Sequence, residues 1–316
     1  HSLTVGASIG IAFSKEPIEP EALLHHADIA MYHAKKAAGG YRFYAASMQQ
    51  EAAEKLNLEE DLRTALAAEE LQLYYQPYVS SESRSVIGVE ALLRWQHPER
   101  GLLTANDFLF AAEAARIMPH IVRLICSQLT RDIAMWNAHA LNPLHIAINL
   151  SASQLESPEL LEYITPLAQA DFLNGHRLAI ELHEEAIATI SGARFMTLAK
   201  LHEMGIALHL DHFGCSALPL TTLCALPFSL LKIDQALIKN MSDKVSNNML
   251  ISAAIMLAHH LGMKIGAVGV ESAWQAKILK IQGCDVIQGF LTVGPLTGKQ
   301  LIEWLQTSNP LAAQAS

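Results

Sequence analysis

The chain has little of what marks secreted, membrane-spanning or nucleic-acid-binding proteins. Four cysteines occur in 316 residues. Cys126, Cys215, Cys224 and Cys284 show no C-x-x-C spacing, which excludes a disulfide framework or thiolate zinc site and reads as reduced thiols, mostly small buried hydrophobes. Positive charge is scarce: 22 Lys and Arg against 31 Asp and Glu give a net charge of −9. A polyanion surface needs clustered cations to displace counterions, and no basic run occurs, so nucleic acid is excluded as a partner. No apolar run reaches the roughly 18 residues of a membrane span, and no signal-peptide pattern is present. The expected location is cytoplasmic, with no membrane contact from this segment. The chain opens at His1 inside an alternating run, "HSLTVGASIGIAF". That abrupt start leads us to expect a piece of a longer protein, and whether a membrane anchor or sensor stands upstream is left open by this segment.

What is abundant is apolar: 51% of the residues are hydrophobic, enough for a large core. Residues 3–13 read as a strand, 19–40 as an amphipathic helix stopped by Gly39–Gly40, and 41–44 as a short strand. The Ala/Glu/Leu-rich stretch 46–70 reads as a linking helix, broken near Asn57. Strand patterns then recur at 71–79, 86–95, 145–150, 177–182, 206–211, 228–234, 263–270 and 284–290, with helical periodicity at 104–118, 193–205, 247–262 and 272–283. Eight strands, most followed by a helix, fit an α/β fold of the (β/α)₈ barrel type, with strands one and two as a hairpin. The expected division is 1–45, a helical linker 46–70, a barrel domain 71–308 and a tail 309–316.

Polar groups stand at or near the carboxyl ends of these strands: Gln76, Glu90, Asn149, Glu181, Asp211, Lys232 with Asp234, Glu271 and Gln288. A single acid there is most simply a helix cap or solvated turn. A ring of them converges on one barrel face, where this architecture places its sites. Carboxylates with an amide oxygen suit hard divalent cations, and two such ions can clamp a phosphodiester for attack by water.

The motifs "GVEALLRW" (88–95), "AINLS" (147–151), "IELHE" (180–184), "LDHFG" (210–214), "LKIDQ" (231–235), "GVES" (269–272) and "CDVIQGF" (284–290) resemble, in order and spacing, those of the EAL domain. That family comprises bacterial phosphodiesterases that linearise cyclic di-GMP on a barrel whose first strand is antiparallel. The resemblance covers about residues 55–307. Residues 1–44, with "SIGIAF" and "LLHHADIAMYHAKKAAGG", resemble the end of a GGDEF domain, the diguanylate-cyclase family.

The resemblance implies metal ligands Glu90, Asn149, Glu181 and Asp211 for Mg²⁺ or Mn²⁺. It implies a catalytic role for Lys232 with Glu181, and a dinucleotide pocket including Gln76, Glu90, Leu92, Arg94, Asn149, Asp234, Glu271, Gln288 and Pro295, in which Arg94 grips phosphate. Two departures stand out. His212 occupies the place of an aspartate that helps hold a second metal, and Val268 that of a catalytic glutamate. The turn after Asp211 has drifted as well, to Cys215-Ser216-Ala217-Leu218-Pro219, in a loop that links metal binding to dimerisation in the family. Three readings follow: a cyclic di-GMP receptor needing no metal, a weak or metal-altered phosphodiesterase, and a protein-interaction module. A homodimer through helices near the drifted turn is compatible with each. Strand alternation sets His183 on the side of Glu181 and His209 on that of Asp211. With His212 they form either a replacement Zn²⁺ or Mn²⁺ site or a set of supporting core histidines.

Overall fold

The structure is a computed structural model and describes residues 7–14, 17–36, 40–188, 192–215, 218–241 and 248–308. The expected strand start at residue 3, Gly39, Ser216–Ala217 of the drifted turn and the 309–316 tail lie outside the described residues. The chain divides into two units, residues 1–68 with 108–115, and residues 69–107 with 116–316.

In the first unit, β1 (Ser8–Ile11) and β2 (Gly40–Phe43) pair in parallel. Parallel strands need a crossover, here the helix Pro20–Lys36, which buries the small face of Ala30 and Ala34. The linking helix runs unbroken from Ala46 to Ala67, contrary to the expected break at Asn57. One asparagine costs a helix only about 0.7 kcal/mol relative to alanine, too little to interrupt it.

The second unit contains β3 (Leu71–Ser80), β4 (Val86–His97), β5 (Gly101–Thr104), β6 (His145–Asn149), β7 (Arg177–His183), β8 (Ala207–Phe213), β9 (Phe228–Ile233), β10 (Lys264–Val268), β11 (Val286–Gln288) and β12 (Leu296–Thr297). Eight of them close a ring in the order β3-β4-β6-β7-β8-β9-β10-β11, which returns to β3. β3 is antiparallel to both neighbours, β4 and β11, and the other ring pairings are parallel. The fold is the α/β barrel with an inverted first strand. β5 and β12 are short additions on β4 and β3.

Strand residues such as Val89, Ile146, Ile148, Ile180, Leu208, Leu210, Leu231, Ile233 and Ile265 are buried, and alternation turns them away from the interior that their neighbours fill. Both faces are therefore covered, as parallel strands under helices require. Inside, Tyr78, Leu230 and Val286 form an apolar cluster. Gly88 makes room for it: a Cβ there would collide with the His145 carbonyl and the Tyr78 ring. The polar layer lies next to this cluster, with the Lys232 Nζ 6.0 Å from the Tyr78 ring centre.

One expected helix is corrected. The 104–118 pattern ends at Ala114, and a second helix, Met118–Ala138, starts anew. Arg116 takes a left-handed φ of 56°, which a helix cannot continue through. Pro119 then sits in the opening turn of the next helix, where its missing N–H costs nothing.

Candidate functional site

The mouth of the barrel is built by strand ends that run into capped helices. After Asn149, Ser151 forms a capping box with Gln154. After Lys232, Asp234 caps the helix Gln235–Lys239 by accepting from the Ala236 N–H at 2.7 Å. After β10, Ser272 and Gln275 form a second capping box. Each cap satisfies helix N–H groups and fixes how the chain leaves its strand, which sets the aim of the preceding polar side chain.

The centre is one hydrogen-bonded network. Lys232 Nζ donates to Glu90 Oε2 and to Glu181 Oε2, each at 2.7 Å. Asn149 Nδ2 donates to Glu90 Oε1 at 2.7 Å, and Gln288 Nε2 to Glu90 Oε2 at 2.8 Å. Gln76, opposite Glu90 in the strand register, lies 3.4 Å from Gln288 and donates to the Val293 carbonyl. Glu90, Glu181, Lys232 and Gln288 are all buried. His209 Nδ1 lies 3.3 Å from Glu181 Oε1. The structure thus brings together Gln76, Glu90, Asn149, Glu181, Lys232 and Gln288, and Asp211 adjoins them.

The charges are unequal. Burial pushes the Glu90 carboxyl up, but the Lys232 charge and the hydrogen bonds from Lys232, Gln288 and Asn149 outweigh it and hold Glu90 at about 2. Glu181 is raised, by burial and by the neighbouring Glu90 charge. Burial opposes the Lys232 charge, yet Glu181, Glu90 and Asp211 keep it well above the ordinary lysine value. Burial and the Lys232 charge lower His209 to about 3, so it is neutral. One ammonium thus secures one ionised carboxylate, and its second partner holds a proton more tightly.

A second cluster lies at the rim. His212 has a left-handed φ of 57°, a region histidine enters more readily than most residues. Its Nδ1 donates to Asp234 Oδ2 at 2.6 Å, its backbone N–H donates to Asp211 Oδ1 at 2.9 Å, and its Nε2 faces Asp211 Oδ2 at 3.4 Å. His183 stacks on it, with ring centres 4.4 Å apart. The role of Asp234 as anchor for His212 was not legible in the sequence, because the pair is 22 residues apart and meets only through the β8–β9 register.

Other expected site residues lie outside the network. Leu92 and Arg94 follow Glu90 on its side of β4, both half-buried, and Arg94 Nη1 donates to the Leu93 carbonyl. Glu271 is exposed, and its backbone N–H donates to Gln275 Oε1 at 2.9 Å. Pro295 is half-buried. Val268, half-exposed, sits beside Gln288 in the β10–β11 register.

Donor atoms of Glu90, Glu181 and Asp211 come within 4.8 Å of one another, and Asn149 Oδ1 is buried with no partner among the described residues. Three carboxylates and an orphaned amide oxygen fit one hard divalent cation such as Mg²⁺ or Mn²⁺. The donors that adjoin them at the rim are the imidazoles of His183 and His212, with the Asp234 carboxylate behind His212.

A family model described as the EAL domain matches residues 59–295. The bifunctional diguanylate cyclase/cyclic di-GMP phosphodiesterase MucR of Pseudomonas aeruginosa is 36% identical over 304 residues, covering 96% of this chain and 44% of that protein. The cyclic di-GMP phosphodiesterase PdeR of Escherichia coli is 30% identical, over 94% of this chain and 45% of that protein. The chain thus spans less than half the length of these curated relatives. Among solved structures, the PaMucR phosphodiesterase in complex with c-di-GMP superposes with a TM-score of 0.70 at 34% identity, over 78% of this chain and 99% of that one. The FimX EAL domain from Pseudomonas aeruginosa bound to c-di-GMP shares the fold, with a TM-score of 0.64 at 23% identity over 76% of this chain and 96% of that one. With the inverted-strand barrel and the ring of strand-end carboxylates already in place, these matches establish that the chain belongs to the EAL domain family of cyclic di-GMP signalling.

Proposed function

We propose that this chain is a cytoplasmic cyclic di-GMP receptor, an EAL barrel that binds the dinucleotide at its mouth and hydrolyses it very slowly or not at all. The observation that carries the reading is the pairing of Val268 with Gln288. It leaves an aliphatic side chain beside the polar layer where proton abstraction from water calls for a carboxylate. Loss of one acid–base group alone lowers a rate by about 10²–10⁴-fold. His212 in place of a second acid removes negative charge from the same mouth.

Binding asks for less. Arg94 keeps a half-buried guanidinium on the side of Glu90, suited to two-point contact with a phosphate. Lys232 is locked between two carboxylates and supplies a fixed positive centre. A bound Mg²⁺ or Mn²⁺ would supply Lewis acidity at Glu90, Asn149, Glu181 and Asp211. The likeness to a phosphodiesterase seen with c-di-GMP supports the choice of ligand. We also infer that residues 1–45 close a GGDEF domain. The strand–helix–strand unit and the match to a bifunctional cyclase over 96% of this chain support it. A metal-altered phosphodiesterase is the second reading, favoured by the imidazole cluster at the rim.

The test is calorimetric titration of cyclic di-GMP into chelator-treated protein, with chromatography for linear dinucleotide after incubation with Mg²⁺ and then Mn²⁺. Binding should persist without metal and vanish in Arg94→Ala, and turnover should stay far below about 1 s⁻¹. Turnover of that order supports the phosphodiesterase, and failure of the wild-type chain to bind supports an interaction module.

A further inference from the structure

We infer that His183, Asp211 and His212 form a binding site for a transition-metal ion of the Zn²⁺ class at the barrel mouth, chemically distinct from the all-oxygen group of Glu90, Glu181 and Asp211. The inference goes beyond the dinucleotide reading and stands without it.

Three observations carry it. First, one donor atom from each of His183, Asp211 and His212 lies within 4.8 Å of the others. Donors placed about 2.0–2.2 Å from a tetrahedral Zn²⁺ are about 3.4 Å from one another, and His212 Nε2 stands 3.4 Å from Asp211 Oδ2. That edge of a coordination polyhedron is already set.

Second, His212 is held as a metal-binding histidine is held. Its Nδ1–H donates to Asp234 Oδ2 at 2.6 Å, and Asp234 is itself fixed through Oδ1 by the Ala236 N–H. This bond places a proton on Nδ1 and aims Nε2, the other possible ligand atom, at Asp211. A carboxylate behind an imidazole is the usual outer support of a ligating histidine, since it fixes the tautomer and raises the basicity of the other nitrogen. The left-handed backbone at His212 and the donation of its N–H to Asp211 Oδ1 lock two of the three residues to each other.

Third, the donor chemistry selects the ion. Two imidazoles and one carboxylate as ligands favour Zn²⁺, Co²⁺ or Ni²⁺ over Mg²⁺, which prefers oxygen and its own water. The His212 side chain is 39% exposed, so an ion there keeps open positions for water or for a phosphate oxygen. Asp211 belongs to both groups, so it joins the rim site to the carboxylates below. His209 stays out of it, because it lies against Glu181. His212, Cys215 and Asp234 also come within 4.8 Å of one another, but a metal there would have to displace the proton shared with Asp234.

The experiment uses the full chain stripped with chelator and titrated with Zn²⁺, Co²⁺ and Mg²⁺ by calorimetry, with visible absorption of the Co²⁺ form and histidine-ring NMR as independent readouts. Zn²⁺ should bind with one-to-one stoichiometry and outcompete Mg²⁺ by about 100-fold or more. Zn²⁺ should perturb the rings of His183 and His212 and leave that of His209 in place. His183→Ala and His212→Ala should each weaken Zn²⁺ by about 100-fold or more, and Asp234→Asn by about 10–100-fold. Cys215→Ser should leave Zn²⁺ affinity unchanged, and His212→Asp should turn the preference toward Mg²⁺ and Mn²⁺. Equal affinity for Zn²⁺ and Mg²⁺, undisturbed His183 and His212 rings, or loss of Zn²⁺ in Cys215→Ser overturns the proposal. Cyclic di-GMP titrated into the same metal-free protein reports on the dinucleotide reading separately, so either can fail alone.

Discussion

At the scale of single residues, Lys232 decides the electrostatics of the barrel interior. It is buried with Glu90 and Glu181 and is bonded to both at 2.7 Å, so removing its charge strands the ionised Glu90 and takes a hydrogen-bond donor from Glu181. Lys232→Met should cost about 3–5 kcal/mol, as breaking a buried pair does, and at about 2–4 °C per kcal/mol for a domain of this size the melting temperature should fall by roughly 10 °C. The pH dependence carries a sign. Glu90 is held at about 2 against an ordinary 4.5, so its stabilisation is complete above 4.5 and fades as pH falls toward 2. Lys232 is raised, so its share holds below the ordinary lysine value and is lost only as strong alkali deprotonates the folded form. In Lys232→Met the stranded Glu90 carboxylate is relieved by protonation. The gap in melting temperature between variant and wild type should therefore narrow from pH 7 to pH 4. A gap that stays constant would mean that the lysine acts through packing of its stem instead of its charge.

At the scale of elements, the strand positions were legible because burial on both faces writes apolar runs such as "RLAIEL" and "IALHLD", and a barrel gathers the ends of its parallel strands at one face. The 104–118 pattern covers the ends of two helices, because nothing in its periodicity announces the left-handed Arg116. β11 is shorter than the 284–290 pattern, because Gly289 packs against the Val270 backbone and ends the ladder after Gln288. The carboxylates of the site were legible from strand ends. The salt bridge across the barrel and the His212–Asp234 pair were not, because they depend on neighbours 142, 51 and 22 residues away in sequence. Gly88 shows how closely the elements fit. Gly88→Ala drives a methyl into the His145 carbonyl on β6 and the Tyr78 ring on β3, and overpacking of this kind costs about 1–3 kcal/mol. Adding Tyr78→Phe should restore only part of the loss, since the clash with the carbonyl remains. Chemical denaturation of the single and double variants measures both values, and full rescue by the second substitution would assign the whole cost to the tyrosine.

At the scale of the molecule, no helix among the described residues is long and apolar enough to cross a membrane, and the division into units follows packing more than sequence order. Residues 108–115 group with the N-terminal unit although the chain on either side belongs to the barrel. In that unit Leu58, Leu62 and Ala65 of the linking helix are buried, as are Phe108, Ala111 and Ala112, and Arg63 Nη2 donates to the Ala115 carbonyl at 3.1 Å. Phe108 is fully buried, and leaving such a side chain exposed costs about 1.5–3 kcal/mol. A chain cut to residues 69–316 keeps every barrel strand but removes the rest of the unit that residues 108–115 belong to. Its melting temperature should drop by several degrees, and it should bind a hydrophobic dye that the full chain excludes. A longer version, residues 46–316, retains the helix Ala46–Ala67 with Leu58, Leu62, Arg63 and Ala65, and should recover most of the loss without β1 and β2. Equal melting temperatures for the full chain and residues 69–316 would show that the linking helix contributes nothing to residues 108–115. Partial recovery by residues 46–316 would instead locate the remaining stability in the strand–helix–strand unit that precedes it.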